Sequence, residues 1–429
     1  MNIPYLLYVF TGSILFLLLF PFFLLYSLIT GKHRKGLLQR LGIYINVPAA
    51  SISGVPRIWL HAASVGEVKV AGAIIESINS QLPECEIIVS TTTTAGHELS
   101  IKSFKGNVTF VYAPVDFILS VRKSLSAFKP DILVCIETEI WPNWLVQAHK
   151  MGIRTMIVNG RISVRSIRKY ILIKQLMKYT LSCIDAFSMI GKEDAERIRK
   201  IGAPLERVEV NGNAKYDLLV RQTIPEINLK MKGIFNLKGG ETVFVAGSTR
   251  KGEEKIILDT YMEVLKDFPD TILVIAPRHI ERTHQVETIV REYGCQCQLF
   301  TELKVAERKS PVVIVNTIGE LQDLYSIATI AFCGGSLVPL GGQNVLEAAV
   351  WGKPVIYGPY MDDFLGAKDL LEQFKGGIQV ENGHDLTEKV RYYLLNKKEA
   401  DSIGDLARRA VMSNKGAAGK HTAVICKHL

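Results

Sequence analysis

A carboxylate that follows a predicted strand is the first candidate for chemistry in this sequence. Residues 61–67 read His-Ala-Ala-Ser-Val-Gly-Glu and come directly after the strand-like run Arg57–Leu60. In an open α/β sheet, ligands bind at the carboxyl ends of strands, so Glu67 could take a proton from a substrate hydroxyl. Its place in the first helical turn favours the ionised form. Ser64 and Glu67 also fit a capping box, and from this segment alone we prefer the capping interpretation.

Two further segments of the first half bring charged side chains to strand ends. Glu137-Thr-Glu-Ile-Trp-Pro-Asn143 follows the predicted strand Asp131–Ile136, and its two acids form either the polar rim of a site or a solvated loop. Lys215 follows the predicted strand Arg207–Val210, where a cation could stabilise a departing phosphate. For that motif alone, an ordinary surface lysine is the better interpretation.

Four strand ends of the second half carry groups that suit a nucleotide. The loop 247–252 precedes a helix and could either bind an anion or form only a structural strand-to-helix turn. Arg278 could hold a phosphate through two parallel donors. The loop 316–320 contains a glycine that allows close approach to a base or ribose. The glycine-rich segment 334–347 runs into a helix predicted near Asn344, so its amides could hold a phosphate and Glu347 could accept from ribose hydroxyls. Together these four strand ends favour nucleotide binding.

Short apolar runs alternate with amphipathic stretches in both halves, which indicates parallel sheets covered by helices on both faces. The predicted strands are Arg57–His61, Glu86–Ser90, Val108–Tyr112, Asp131–Ile136, Thr155–Val158, Arg207–Val210, Thr242–Ala246, Thr271–Ala276, Val312–Val315, Ile330–Cys333 and Val355–Tyr357. The pattern is interrupted between residues 220 and 240. We therefore predict an N-terminal Rossmann-like domain at 32–220 and a C-terminal one at 221–429. Two such α/β domains that face a cleft form the GT-B architecture, which several enzyme classes share.

Residues 1–31 are predicted to be a membrane anchor. No charged side chain occurs between Asn2 and Gly31, and this length suffices to cross the ~30 Å hydrocarbon core of a bilayer. The basic residues Lys32, His33, Arg34, Lys35 and Arg40 follow, which predicts that the N-terminus faces away from the cytoplasm and the body lies inside it. Pro21 could instead kink the helix or let it dip into one leaflet. A cleaved signal peptide fits less well, because the basic cluster follows the apolar stretch.

Charge and cysteine content limit the remaining function classes. The net charge is +9, but the sequence contains no helix-turn-helix pattern, RNA-binding aromatic motif or zinc-finger spacing, so nucleic acid is not a predicted partner. The seven cysteines include the close pair Cys295 and Cys297, which lacks a second pair or a nearby histidine to complete a metal site. The odd number of cysteines suits a reducing compartment.

Six segments, taken in order, resemble the Kdo transferases of Gram-negative bacteria, where Kdo is 3-deoxy-D-manno-octulosonic acid. They are HAASVGE at 61–67, ETEIWPN at 137–143, NGRIS at 159–163, GNAKYD at 212–217, APRH at 276–279 and GGQNVLEAA at 341–349. The resemblance covers nearly the whole chain. It implies an inverting GT-B glycosyltransferase of the inner membrane that needs no metal or cofactor and no obligate protein partner. Its substrates would be CMP-Kdo and a lipid A precursor (lipid IVA) in lipopolysaccharide core biosynthesis. Some members of the family add one Kdo residue and others two or more.

The resemblance also implies roles for individual residues. Glu67 would be the general base, and Glu137 and Lys215 would stabilise the transition state. The CMP contacts would be Pro277, Arg278, Ile318, Gly319, Glu320, Asn344, Val345, Leu346 and Glu347. Two other hypotheses stay open, namely another GT-B nucleotide-sugar transferase or epimerase and a non-catalytic, membrane-anchored nucleotide-binding protein. The acids at Glu67 and Glu137 argue against the second.

Overall fold

The computed structural model describes residues 2–31, 34–45, 47, 54–104, 106–221 and 223–429. Lys32 and His33 of the basic cluster therefore lie outside the described residues. The chain divides into two compact units, of which the first contains Met1–Leu218 together with Gly416–Leu429, and the second contains Leu219–Lys415.

The first unit is built on a seven-stranded parallel sheet. Its strands are β1 Arg57–His61, β2 Glu86–Thr91, β3 Val108–Tyr112, β4 Ile132–Ile136, β5 Arg154–Gly160, β6 Ala186–Met189 and β7 Val208–Val210, in the spatial order β3-β2-β1-β4-β5-β6-β7. Its helices are α1 Ile3–Thr30, α2 Leu37–Arg40, α3 Val65–Gln81, α4 Thr94–Ser103, α5 Ile118–Phe128, α6 Pro142–Lys150, α7 Val164–Leu172, α8 Lys174–Ser182, α9 Lys192–Ile201 and the start of α10 Lys215–Arg221. A 3-10 turn spans Leu205–Arg207.

Helices cover both faces of this sheet, so its central strands are buried on both sides. Trp59 of β1 points into one core layer beside Phe128 and Trp144, whereas its neighbours Ile58 and Leu60 point into the opposite layer. This alternation is the two-residue period of a strand. Because β1 pairs with β4 in parallel, the residues that follow these two strands emerge at the same edge of the sheet.

The second unit contains another seven-stranded parallel sheet. Its strands are β8 Val243–Thr249, β9 Ile272–Pro277, β10 Cys297–Leu299, β11 Val312–Ile314, β12 Ile330–Cys333, β13 Val355–Tyr357 and β14 Gly377–Gln379, in the order β10-β11-β9-β8-β12-β13-β14. Its helices are α11 Pro225–Ile234, α12 Glu253–Asp267, α13 Thr283–Glu292, α14 Phe300–Leu303, α15 Leu321–Leu324, α16 Leu346–Ala349, α17 Leu365–Gln373, α18 Gly383–Leu395 and α19 Lys397–Met412. Further 3-10 turns span Ile280–Arg282, Tyr325–Ile327 and Asp362–Phe364.

Two parallel sheets with helices on their faces confirm the predicted α/β class. The eleven predicted strands all exist, most with bounds within one or two residues of the prediction. The three strands that were not predicted, β6, β10 and β14, are only three or four residues long. Their Ala, Ser, Gln and Gly residues leave too few apolar β-formers for a recognisable pattern.

The end of the chain differs from the predicted division. The last helix, α20 Ala417–Lys427, belongs to the first unit and packs against α3, whereas the sequence analysis assigned 221–429 to the C-terminal domain. Asp217 accepts hydrogen bonds from the backbone N–H groups of Gly416 at 2.6 Å and Ala418 at 2.7 Å. An amphipathic pattern shows that a helix has an apolar face, but it does not show which core that face joins.

Among the described residues, α1 is the one helix that is long and apolar enough to cross a membrane. Asn2 caps its first turn by accepting from the N–H of Tyr5, and Gly31 ends it in the left-handed region at φ 71°. Pro21 lies inside this helix without ending it. The predicted apolar segment therefore forms one helical element.

Candidate functional site

Glu67 lies in the first turn of α3, immediately beyond the carboxyl end of β1. Its Oε1 accepts from Ser64 Oγ at 2.8 Å and its Oε2 accepts from the N–H of Ala63 at 2.7 Å. Ser64 Oγ in turn accepts from the N–H of Glu67, so the predicted cap exists. Capping and chemistry do not exclude each other here, because the same bonds fix the direction of a carboxylate that is 9% exposed.

The surroundings of Glu67 make it a stronger base than an exposed carboxylate. Burial raises its pKa; the hydrogen bonds from Ser64 and Ala63 lower it, and the negative charges of Glu139 and Glu137 raise it again. The net direction is upward, against the sequence-based expectation that the helix dipole favours the ionised form. Burial outweighs the dipole because the carboxylate has little contact with water. A base is most effective when its pKa approaches the working pH, so this shift suits general-base catalysis.

Glu137 and Lys215 form an ion pair, although they lie far apart in the sequence. The Nζ of Lys215 lies 2.6 Å from Oε1 of Glu137. Glu137 comes directly after β4 with φ 62°, a left-handed conformation that is uncommon for residues other than glycine and costs strain energy. The ammonium of Lys215 is therefore held against Glu137 at the carboxyl end of β4, although its side chain is 40% exposed.

The placement of Lys215 depends on a second left-handed residue. Asn159 adopts φ 51° near the end of β5, and its Oδ1 accepts from the N–H of Ala214 at 2.8 Å. Asn213 Oδ1 accepts from the N–H of Lys215 itself at 3.0 Å. The segment before α10 is thus fastened to the end of β5, next to β4, and this brings the lysine to Glu137.

His61 and Glu139 belong to the same edge, and the residue assignment from the sequence did not include them. Nε2 of the fully buried His61 lies 3.5 Å from Oε2 of Glu139, which also accepts from Trp141 Nε1 at 2.7 Å. Burial opposes ionisation of Glu139, but the contacts with His61 and Trp141 outweigh burial and its pKa is lowered. Glu139 therefore supplies a negative charge near Glu67. The sequence signal that could have identified Glu139 as a site residue was its position at a strand end, two residues after Glu137.

The predicted nucleotide groups of the second unit follow four adjacent strands. The sheet order β11-β9-β8-β12 places the segments after these strands side by side at one edge. Arg278 is exposed beyond β9, and its backbone N–H donates to the carbonyl of Thr249 at 3.0 Å. Within the described part of the chain, its guanidinium makes no hydrogen bond or ion pair, so its donors are available to an anion.

The first part of the glycine-rich loop is hydrogen-bonded within the protein. The buried carboxylate of Glu253 accepts from the backbone N–H groups of Arg250, Gly335, Ser336 and Leu337 at 2.7–3.1 Å. Those amides are already satisfied and do not need a phosphate. The helix predicted near Asn344 is also short, because α16 spans only Leu346–Ala349 and offers little dipole.

The other predicted CMP contacts differ in side-chain exposure and in the partners that they already have. Ile318 is 82% exposed and Gly319 adopts φ 107°, so this turn is accessible. Glu320 is paired with Lys304 at 3.2 Å. The side chains of Val345 and Leu346 are buried, as is Pro277, so only their backbone groups could meet a ligand. Asn344 Nδ2 lies 3.3 Å from Oε1 of Glu347, which orients that carboxylate.

Known proteins resemble the chain over most of its length. Residues 35–218 match the family model described as 3-deoxy-D-manno-octulosonic-acid transferase (kdotransferase). The chain is 31% identical to a 3-deoxy-D-manno-octulosonic acid transferase of Haemophilus influenzae, over 92% of this chain and 91% of that protein. It is 35% identical to a bifunctional glycosyltransferase/methyltransferase of Fusobacterium nucleatum over 80% of this chain, but it spans only 53% of that longer protein.

A solved structure also resembles the fold. A glycosyltransferase from Rickettsia africae matches with a TM-score of 0.57 and 15% identity, over 87% of this chain and 98% of that one. At this identity the likeness concerns the fold alone. It confirms the predicted GT-B class.

Proposed function

This chain belongs to the Kdo transferase family, and we propose that it transfers Kdo from CMP-Kdo to lipid IVA, with inversion and without a metal ion. Family membership makes it a glycosyltransferase of lipopolysaccharide biosynthesis that uses a nucleotide-sugar donor. One observation carries the finer proposal: the base candidate Glu67 and the ion pair of Glu137 with Lys215 share one sheet edge.

In the proposed reaction, Glu67 takes the proton from a hydroxyl of the acceptor sugar. The hydroxyl oxygen then forms a bond to the anomeric carbon of Kdo, while the bond from that carbon to the phosphate oxygen of CMP breaks. CMP leaves with the bonding electron pair, and the proton stays on Glu67 until water removes it. Attack from the face opposite to CMP inverts the anomeric carbon. The first unit thus supplies the base and binds the acceptor.

The cation of the first unit suits a leaving group that carries one phosphate. A positioned cation stabilises negative charge that develops in a transition state, and Lys215 is held in place by Glu137. Arg278 can bind the phosphate through two donors, and Glu347 can accept from the ribose hydroxyls. We assign CMP binding to the second unit through Arg278, Glu347 and the turn at 318–320. A monophosphate needs less neutralisation than a diphosphate, which supports transfer without a metal ion.

The location follows from the acceptor and from α1. Lipid IVA is held in a membrane, and α1 is compatible with membrane attachment. We place the enzyme at the inner membrane with its two units on the cytoplasmic side.

Thermal unfolding in the presence of nucleotides tests the donor class. CMP should raise the unfolding temperature of the full-length protein in detergent, because a ligand that binds only the folded state stabilises it. UDP at the same concentration should have a much smaller effect. Stronger protection by UDP would instead favour another GT-B nucleotide-sugar transferase or an epimerase.

A turnover assay then separates the enzyme from a non-catalytic nucleotide-binding protein. The protein should release CMP from CMP-Kdo only when a lipid A precursor is present. Protection by CMP without any acceptor-dependent release would support the non-catalytic hypothesis and contradict the proposed function.

A further inference from the structure

One face of α1 is less exposed than the rest of the helix. Its less exposed side chains are three, four or seven residues apart. They include Tyr5, Val9, Phe16, Phe20, Leu24 and Ser27. Residues at this spacing lie on one side of a helix. The helix therefore has a protein-facing stripe, although its composition would suit a helix surrounded by lipid.

The first two turns of α1 are docked by buried polar contacts. Tyr5 is 3% exposed, and its hydroxyl donates to Asn143 Oδ1 at 3.2 Å and accepts from Gln147 Nε2 at 2.9 Å. The hydroxyl of Tyr8 donates to Asp116 Oδ2 at 2.8 Å. Asp116 also accepts from the backbone N–H groups of Asn143 and Trp144, so this carboxylate is part of the body at the start of α6.

The docking continues further along the helix. The ring of Phe16 stacks on that of Phe117, with centroids 4.5 Å apart and planes 14° from parallel. Phe16 lies eleven residues after Tyr5, which corresponds to about 16 Å of helix. The contacts at Tyr5, Tyr8 and Phe16 all join α1 to the same unit.

These contacts conflict with a helix that crosses the bilayer perpendicular to its plane. A crossing helix would move Tyr5 roughly 30 Å away from the side on which the body lies. It would then either lose its buried hydrogen bonds or draw Asp116 into hydrocarbon, where a charged side chain is costly.

The uncovered face of α1 is nevertheless too apolar for water. Fifteen large apolar side chains between Ile3 and Ile29 are each at least 39% exposed. Soluble proteins rarely expose a continuous apolar surface of this size, so a partner must cover it. The same surface character recurs at residues 171–173, where Ile171, Leu172 and Ile173 are exposed just before α8, the helix against which α1 packs.

Basic side chains beside this apolar surface identify its partner. Arg168 and Lys169 precede residues 171–173, and Lys174 and Lys178 follow them, all exposed. Arg34 and Lys35 lie beyond the other end of α1 and are exposed as well, although Arg34 also donates to the carbonyls of Ser27 and Leu28 and Lys35 is paired with Glu98 at 3.2 Å. An apolar helix face with lysine and arginine at its margins fits the interface of an anionic leaflet, where each basic residue near the surface contributes ~1 kcal/mol.

We propose that α1 lies in the plane of one leaflet, docked along the first unit, so that its N-terminus stays on the same side of the membrane as the body. This differs from the orientation that the basic cluster predicts, in which the N-terminus faces away from the cytoplasm. The proposal is independent of the reaction, since it depends only on the contacts and the exposed face of α1.

Protease protection of an N-terminal tag tests this topology in the full chain. An epitope and a protease site are placed before Met1, and protease is added to intact spheroplasts or to inverted inner-membrane vesicles. The in-plane helix predicts that the tag is protected in spheroplasts and cleaved in inverted vesicles. Cleavage in spheroplasts would show a spanning helix and overturn the proposal.

Cysteine crosslinking in membranes tests the docking without a tag. The pair Phe16→Cys and Phe117→Cys should form an intramolecular disulfide on mild oxidation, because the two rings stack. The matched control joins Leu18→Cys to Phe117→Cys, since Leu18 is 63% exposed and lies on another face of the same turn. Equal crosslinking of both pairs, or of neither, would contradict the docked helix. Disulfide-linked dimers in the first pair would show that a second copy, and not lipid, covers α1.

Discussion

Replacing Glu67 by glutamine removes the proposed base while keeping the shape of the side chain. The amide oxygen of the new side chain can still accept from the N–H of Ala63, and its NH₂ can donate to Ser64 Oγ, so both contacts can be kept, the second with its direction reversed. We expect transfer to fall by ~10²–10⁴-fold, the usual contribution of general acid–base catalysis, which is about 3–5 kcal/mol of transition-state stabilisation. Binding of CMP should change little.

The pH dependence gives this prediction a signature that a structural defect would not produce. Because the pKa of Glu67 is raised by burial and by nearby carboxylates, wild-type activity should rise with pH as Glu67 loses its proton. Glu67→Gln should abolish this rise. The same raised pKa means that the folded state binds the proton more tightly than the unfolded state does, so stability falls as pH rises through that window. The substitution removes the destabilisation caused by the buried charge, so the unfolding temperature at neutral pH should not fall.

Asp194→Asn is the matched control. Asp194 is also a buried carboxylate in the first turn of a helix in the first unit, and burial raises its pKa as well. Its oxygen accepts from the N–H of Ile162 at 2.7 Å, so the change alters a similar bond. Turnover should be largely retained in this variant and lost in Glu67→Gln. If Glu67→Gln keeps more than about a tenth of wild-type turnover, general-base catalysis by this residue is refuted.

Three further predictions concern the cation, the phosphate site and the last helix. Lys215→Met should lower the turnover number by ~10²–10³-fold, because it removes transition-state stabilisation, whereas the CMP affinity measured by calorimetry should change little. An unchanged turnover number would contradict the role of the ion pair. Arg278→Ala should weaken CMP binding roughly 10–100-fold, because a charge-assisted hydrogen bond to the phosphate is lost, and it should leave cytidine binding unchanged. An equal loss of affinity for cytidine would exclude a phosphate contact. Burial lowers the pKa of His421 to about 4, so the unfolded state binds more protons and stability should fall as pH drops from about 6.5 towards 4. His421→Gln should flatten this acid limb in unfolding temperatures measured against pH, and an unchanged limb would show that other groups cause it.

The sequence predicted the fold because the physics that shapes the sheets is local. Buried parallel strands require continuous apolar, β-branched runs, and β1, β3, β12 and β13 were placed with their correct bounds. The position of Glu67 after β1 followed from the same argument. The unit to which α20 belongs could not be predicted in this way, since its packing on α3 depends on a contact between the two ends of the chain.

The charge pairs of the site could not be predicted, because they depend on tertiary structure. Lys215 reaches Glu137 only because the ends of β4 and β5 are adjacent and Asn159 holds the preceding loop. Residues 335–337 of the glycine-rich loop looked like phosphate ligands, because the sequence does not show that Glu253, more than eighty residues earlier, already accepts from their amides. Patterns of residue type place groups at strand ends, but they do not show which groups are already satisfied.

Mass spectrometry of the lipid product tests the central claim most directly. Full-length protein in detergent is incubated with CMP-Kdo and lipid IVA, and the lipid is analysed together with the released CMP. The account predicts that the acceptor gains the mass of one or more Kdo residues, that one CMP is released for each, and that Glu67→Gln yields almost no product. A wild-type protein that binds CMP but leaves lipid IVA unmodified, or a Glu67→Gln variant that forms product at the wild-type rate, would contradict it.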